Sequence, residues 1–131
     1  MMERKNLVFV YGTLRNGYGN HHLLKEAHCY GIGCTDACYA MYLVHGFPYV
    51  TSTEARYRIV GELYAVDDDT LNILDSTEGH PIYYERREIP VTVCEEQYTA
   101  WMYFRDPKGV LMQGGDYNEV SAGKPQTAPA T

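Results

Sequence analysis

Apolar residues fall along this chain in two rhythms, one of strands and one of short helices. Leu7-Val8-Phe9-Val10-Tyr11 is a continuous β-branched and aromatic run closed by Gly12, the pattern of a buried strand. Residues 57–66 alternate instead, with Tyr57, Ile59, Gly61, Leu63 and Ala65 on one side and Arg58, Val60, Glu62, Tyr64 and Val66 on the other. That alternation predicts a second strand. The Tyr-rich, Gly-punctuated residues 30–50 read as one or two strands. Residues 82–94 and 98–104 read as two more, joined by a turn at Glu95-Glu96-Gln97. Asp67-Asp68-Asp69-Thr70 supplies a helix cap and first-turn acids and predicts a helix over 68–76, stopped by Gly79 and Pro81. Asn20 is placed to cap a shorter helix running to about residue 29, with Leu23, Leu24 and Ala27 on one side. Between it and the first strand, residues 12–20 hold Gly12, Gly17 and Gly19 and form a loop whose backbone can approach another group closely. Residues 118–131, rich in Ala, Pro, Thr, Ser and Gly, read as a disordered tail, which leaves 1–117 as the domain. The sum is an α+β fold, β-rich with two short helices, whose sheet can close into a small mixed barrel.

A chain of 131 residues suits one core with room for a small pocket. Lys+Arg 11 against Asp+Glu 17 leaves a net charge of −6, and basic residues cluster no further than Arg56/Arg58 and Arg86/Arg87. Nucleic acid is excluded as a partner, because wrapping it needs a basic face, and anionic membranes are disfavoured by the same balance. The early apolar run is too short for a signal-peptide core or a membrane span, which points to the cytoplasm. Cys29, Cys34, Cys38 and Cys94 are then expected as reduced, buried thiols, with Cys94 packing beside Val91 and Val93. Tyrosine stands at 13 against 3 Phe and 1 Trp, so most aromatic area carries a hydroxyl that needs a partner when buried. A half-wet pocket and a sheet surface both use such residues.

Three places are candidates for chemistry. Leu71, Leu74 and Glu78 stand at i, i+3 and i+7, so the face that buries two leucines also turns a carboxylate inward. Desolvation and the negative end of the helix both raise the pKa of such an acid, the tuning that proton transfer near neutral pH requires. The competing reading is a helix that ends earlier, with Glu78 solvated or paired to Arg86 or Arg87. The second candidate is the loop after the first strand, whose N–H groups suit an anion or a developing oxyanion. It lacks the Gly-Lys-Ser/Thr of a phosphate loop and the spacing of a dinucleotide fingerprint. The third is a metal site from His21, His22, His28, Cys29, Cys34 and Cys38. The cysteine spacings of five and four do not fit the two-residue gap of zinc knuckles, so no metal is predicted.

Tyr11-Gly12-Thr13-Leu14-Arg15 and Leu74-Asp75-Ser76-Thr77-Glu78-Gly79-His80-Pro81-Ile82-Tyr83-Tyr84 occur together, followed by Ala100-Trp101-Met102-Tyr103 and Gly114-Gly115-Asp116-Tyr117. In combination they resemble the gamma-glutamylcyclotransferase-like family, and within it the gamma-glutamylamine-cyclotransferase branch, over roughly residues 6–117. The resemblance implies a small β-barrel flanked by short helices with a cavity at one end. It implies that Tyr11, Gly12, Thr13 and Leu14 hold the substrate, that Tyr84 lines the pocket and that Glu78 is the acid–base catalyst. The implied reaction releases an amine from a γ-glutamyl amine or peptide and leaves 5-oxoproline, with no cofactor and a small-molecule γ-glutamyl substrate as the partner. His80, Tyr39, Tyr42 and Tyr49 either shape a pocket for the departing amine or belong to the sheet surface. A non-catalytic small-molecule-binding module on the same fold is the alternative. The oligomeric state is not legible from the chain.

Overall fold

The run of apolar residues at the start of the chain is apolar on every position because both of its faces are buried. It forms β1, Asn6–Val10, in a computed structural model that describes residues 6–80, 84–106 and 108–122. Phe9 packs into the barrel interior with Met41, Ile59, Leu63, Val91 and Met102. Val8 and Val10 pack outward, against Leu24, Leu71 and Leu74 of the helices. A 3-10 helix, Gly19–Leu24, leads to the 17-residue β2, His28–Val44, and then come β3, Phe47–Thr51, and β4, Tyr57–Val66. α1, Asp68–Glu78, precedes the hairpin of β5, Glu85–Val93, and β6, Glu96–Phe104. The short β7, Val110–Leu111, and α2, Tyr117–Ala122, end the described part.

Five strands close on themselves: β2 pairs with β4, β4 with β1, β1 with β6, β6 with β5, and β5 returns to β2. All pairings are antiparallel except β1 with β6, which makes the barrel mixed. β2 can serve both this barrel and an outer ribbon with β3 and β7 because register shifts between Cys29/Gly31 and Cys34/Cys38 bend it. No helix among the described residues is long and apolar enough to cross a membrane.

Several sequence expectations are corrected by these elements. The 3-10 helix is shorter than the helix expected to residue 29 and is not capped by Asn20. Tyr18 holds the cap position without a side-chain bond, since the Asn20 amide is already bound to Thr13. The β5–β6 turn is Cys94-Glu95 and not 95–97. Both residues have positive φ, 51° and 68°, the two-residue geometry whose twist matches the flanking strands. Cys94 is therefore exposed in the turn rather than packed with Val91 and Val93. Cys29 and Cys38 are exposed on β2 as well and Cys34 is half-buried; all four are free, so only the burial was misread. Residues 117–122 of the expected tail region are helical, with the Tyr18 hydroxyl donating to Asn118 at 2.7 Å; residues 123–131 lie outside the described part.

Candidate active site

The loop that leaves β1 folds back on itself. Arg15 N–H donates to Gly12 O (3.0 Å), Tyr18 N–H to Arg15 O (3.1 Å) and Asn20 N–H to Thr13 O (3.1 Å). Asn20 Nδ2 adds a bond to Thr13 Oγ1 (3.2 Å), and His21 Nδ1 lies 3.1 Å from Leu14 O. These contacts occupy the loop's carbonyls. The N–H groups of Gly12, Thr13 and Leu14 donate to no acceptor among the described residues, which leaves them as free donors.

Arg15 fixes this loop to the barrel from behind. Its side chain is 1% exposed, with Nε 3.2 Å from Glu62 Oε2 and Nη1 2.9 Å from Asp116 Oδ1. Glu62 also accepts from the Asn16 N–H and the Tyr64 hydroxyl, both at 2.9 Å. Charge-assisted bonds of this kind are the strong ones, and here they are dry. The sequence offered Arg15 only as the residue after a loop motif; its partners lie 47 and 101 positions away.

Glu78 comes from the last turn of α1. The helix starts at Asp67, whose carboxylate accepts from Thr70 N–H (2.8 Å), and ends at Gly79 in the left-handed conformation, φ 72°. Leu71 and Leu74 are buried against the barrel, and Glu78 lies on their face as its spacing predicts. Asp75 pins this end. It takes a two-bond grip from Arg86, Nε at 2.8 Å and Nη2 at 3.1 Å, and a bond from the Tyr103 hydroxyl at 2.7 Å. Burial works against the Asp75 charge, yet these bonds outweigh it and hold its carboxyl below the usual range. With Arg86 on Asp75 and Arg87 on Glu85, neither arginine pairs with Glu78. Burial alone pushes the Glu78 carboxyl up to about 7.

Loop and helix end meet around one cavity of about 270 Å³ at the end of the barrel. Tyr11, Gly12, Thr13 and Leu14 form one wall, Thr77 and Glu78 another, Phe47 and Pro48 of β3 a lip, and Tyr84 and Tyr103 the remainder. All six residues singled out in the sequence are thus brought together. The Tyr11 hydroxyl donates to Tyr103 O (3.0 Å) and accepts from Val50 N–H (3.2 Å). Burial raises Tyr11 and Tyr103 well above the phenol range and pushes Tyr84 up to about 12, and the Glu78 charge adds to each. The wall around Glu78 is therefore made of protonated phenols.

Other candidates do not reach the cavity. Tyr39 packs on Phe104, Tyr42 stacks on Tyr49, and His80 accepts from the Arg86 N–H at 3.3 Å. Pro81, Ile82 and Tyr83 of the second motif lie outside the described residues. Among the described residues no group of three or more His, Cys, Asp or Glu is placed to hold a metal ion. Sequence reasoning missed Phe47, Pro48, Asn20 and Thr77 as lining residues. Only Tyr103 had a signal, in the Ala100–Tyr103 piece.

The sequence model for the family described as gamma-glutamyl cyclotransferase, AIG2-like, matches residues 8–119. A Methanocaldococcus jannaschii protein provisionally named a gamma-glutamylcyclotransferase is 44% identical over 115 residues, covering 86% of this chain and 95% of the relative. The human gamma-glutamylaminecyclotransferase is 36% identical over 99 residues, which span 70% of this chain and 65% of that protein. Among solved structures, that of a mouse AIG2-like protein superposes with a TM-score of 0.72 at 27% identity, covering 82% of this chain and 81% of that one. With the motifs seated on one cavity of a barrel of this kind, the chain belongs to the gamma-glutamyl cyclotransferase, AIG2-like family.

Proposed function

We propose that the chain cyclises a γ-glutamyl amine or small γ-glutamyl peptide to 5-oxoproline, releasing the amine, with Glu78 as the proton carrier and Tyr11, Gly12, Thr13, Leu14 and Tyr84 as the substrate-binding residues. The observation that carries this reading is the desolvated Glu78 carboxyl on a cavity whose other wall is a row of free N–H donors. The α-ammonium of the substrate gives one proton to the Glu78 carboxylate. The freed amine attacks the γ-amide carbonyl carbon, forming the lactam C–N bond and placing an electron pair on oxygen. The Gly12–Leu14 donors hold that oxyanion, a role for which preorganised N–H groups are suited. On collapse the amide C–N bond breaks and the departing nitrogen takes the proton from Glu78. The second ammonium proton leaves with it, so the product amine departs charged and the lactam keeps one N–H. A carboxyl near pH 7 is poised for both halves of this transfer. Folding the substrate so that amine and carbonyl meet supplies the orientation term.

Cyclisation and hydrolysis differ in what remains of the glutamyl group. Incubation with γ-glutamylalanine and γ-glutamylethylamine, followed by mass spectrometry, is expected to give 5-oxoproline equal in amount to the released amine. Free glutamate in its place would mean that water, not the α-amine, attacks. Retained substrate with measurable binding would favour the binding-module alternative.

Gly12 offers a second check. A Cβ there would stand 2.6 Å from Pro48 Cγ on the cavity lip, closer than the two can approach, so loop or lip must move. A displacement of this size in a positioned donor costs about 100-fold, and Gly12→Ala is expected to lower kcat/KM by that order while thermal unfolding stays cooperative. Unchanged kinetics would remove the loop from the reaction.

A further inference from the structure

Arg105 is set apart from the other arginines near the cavity. Arg15, Arg56, Arg86 and Arg87 each hold a carboxylate within 3.2 Å, whereas Arg105 has no acidic partner among the described residues. In a chain of net charge −6 a half-buried guanidinium without a counter-ion is a vacancy for one. Its place is defined on three sides. Its backbone follows β6 by one residue, on the face of Tyr103 by strand alternation, and its N–H donates to Val50 O of β3 at 2.9 Å. Its guanidinium carbon lies 5.3 Å from the Tyr49 ring centre and 5.6 Å from that of Tyr84. Tyr84 lines the cavity, and its hydroxyl reaches Pro48 O on the lip only at 3.5 Å, a bond weak enough to be exchanged for a ligand.

The geometry points to a carboxylate subsite made by Arg105 and Tyr84 at the mouth of the cavity, which selects γ-glutamyl substrates whose departing amine itself carries a carboxylate. A guanidinium presents paired N–H donors that match a carboxylate, and stacking on two aromatic faces holds its plane in place. The field of Arg105 already acts on the Tyr84 hydroxyl, lowering its pKa against burial, as two groups converging on one site would. This inference rests on the reading of the cavity as the γ-glutamyl site. The loop takes the substrate's own amino-acid end there, so the second carboxylate is that of the leaving group.

γ-Glutamylalanine and γ-glutamylethylamine differ only by that carboxylate, which makes them the matched probes. Calorimetric titration of Glu78→Gln protein, which binds without turning over, is expected to show γ-glutamylalanine about 10- to 100-fold tighter, the range of a charged hydrogen-bonded contact. Adding Arg105→Ala should bring the two affinities together, and Arg105→Lys should keep part of the difference. A fall of equal size for both ligands would keep Arg105 as a carboxylate binder but assign it the glutamyl α-carboxylate. Equal affinities in the presence of Arg105, unmoved by its removal, would overturn the subsite. Binding is read here without turnover, so an absence of 5-oxoproline from the wild type counts against the reaction and not against this contact.

Discussion

Glu78→Gln is expected to fold as the wild type does and to lower the rate of 5-oxoproline release by roughly 10²- to 10⁴-fold, the usual contribution of a positioned proton carrier. Glutamine fills the same volume on the cavity wall but can neither take the ammonium proton nor return it. The same substitution has a thermodynamic signature of opposite sign. The folded carboxyl titrates at about 7 and the unfolded one near 4.5, so between these values the folded state holds the extra proton. Stability therefore falls as pH rises through that window and stays lowered above it, by at most about 3 kcal/mol. Removing the ionisable group removes this penalty. The variant's Tm should exceed that of the wild type above pH 7, and the gap should close as pH falls toward 5. Differential scanning calorimetry across that range reads both limbs; a variant less stable at every pH would contradict a desolvated Glu78.

Arg15→Met is expected to be the most destabilising single change near the site. Methionine keeps much of the volume but leaves Glu62, 5% exposed, and Asp116 without their cation. Breaking a buried pair from one side costs about 3–5 kcal/mol, which for a chain of this size lowers Tm by roughly 10–20 °C. Replacing Glu62 by Gln in the same protein should recover part of the loss, because less uncompensated charge then remains. A double-mutant cycle isolates that coupling. Arg15 touches no lining atom itself, so its kinetic effect should pass through the loop: at a temperature where the variant is folded, kcat should fall along with any rise in KM. A Tm shift of only about 1–2 °C, the effect of an exposed pair, would show that the network does not hold the loop.

What the sequence disclosed follows from how local each cause is. β4 and the start of α1 were legible because alternation, the Asp67 cap and the Gly79 stop act over a few residues. Leu71, Leu74 and Glu78 share a face through helix geometry alone, and that placed the acid correctly. The hairpin turn was misplaced by one residue because Cys94 and Glu95 adopt positive φ without a glycine to announce it. Closure of the barrel by β5 on β2, the lip at Phe47 and Pro48, and the grip of Glu62 and Asp116 on Arg15 depend on residues far apart in the chain. No local pattern encodes them. The thiols were misjudged for a related reason: composition says that cysteines are commonly buried, but only the fold decides which face of β2 each one takes.

Titration of the Glu78 carboxyl itself, followed by ¹³C resonances of glutamate-labelled protein and set beside the pH dependence of kcat/KM, tests the proton-carrier role most directly. One glutamate signal should titrate near pH 7 and vanish in Glu78→Gln, and kcat/KM should rise with pH through the same midpoint as the carboxylate forms. A Glu78 signal that titrates in the ordinary carboxylate range, or a rate profile flat across neutrality, would contradict it.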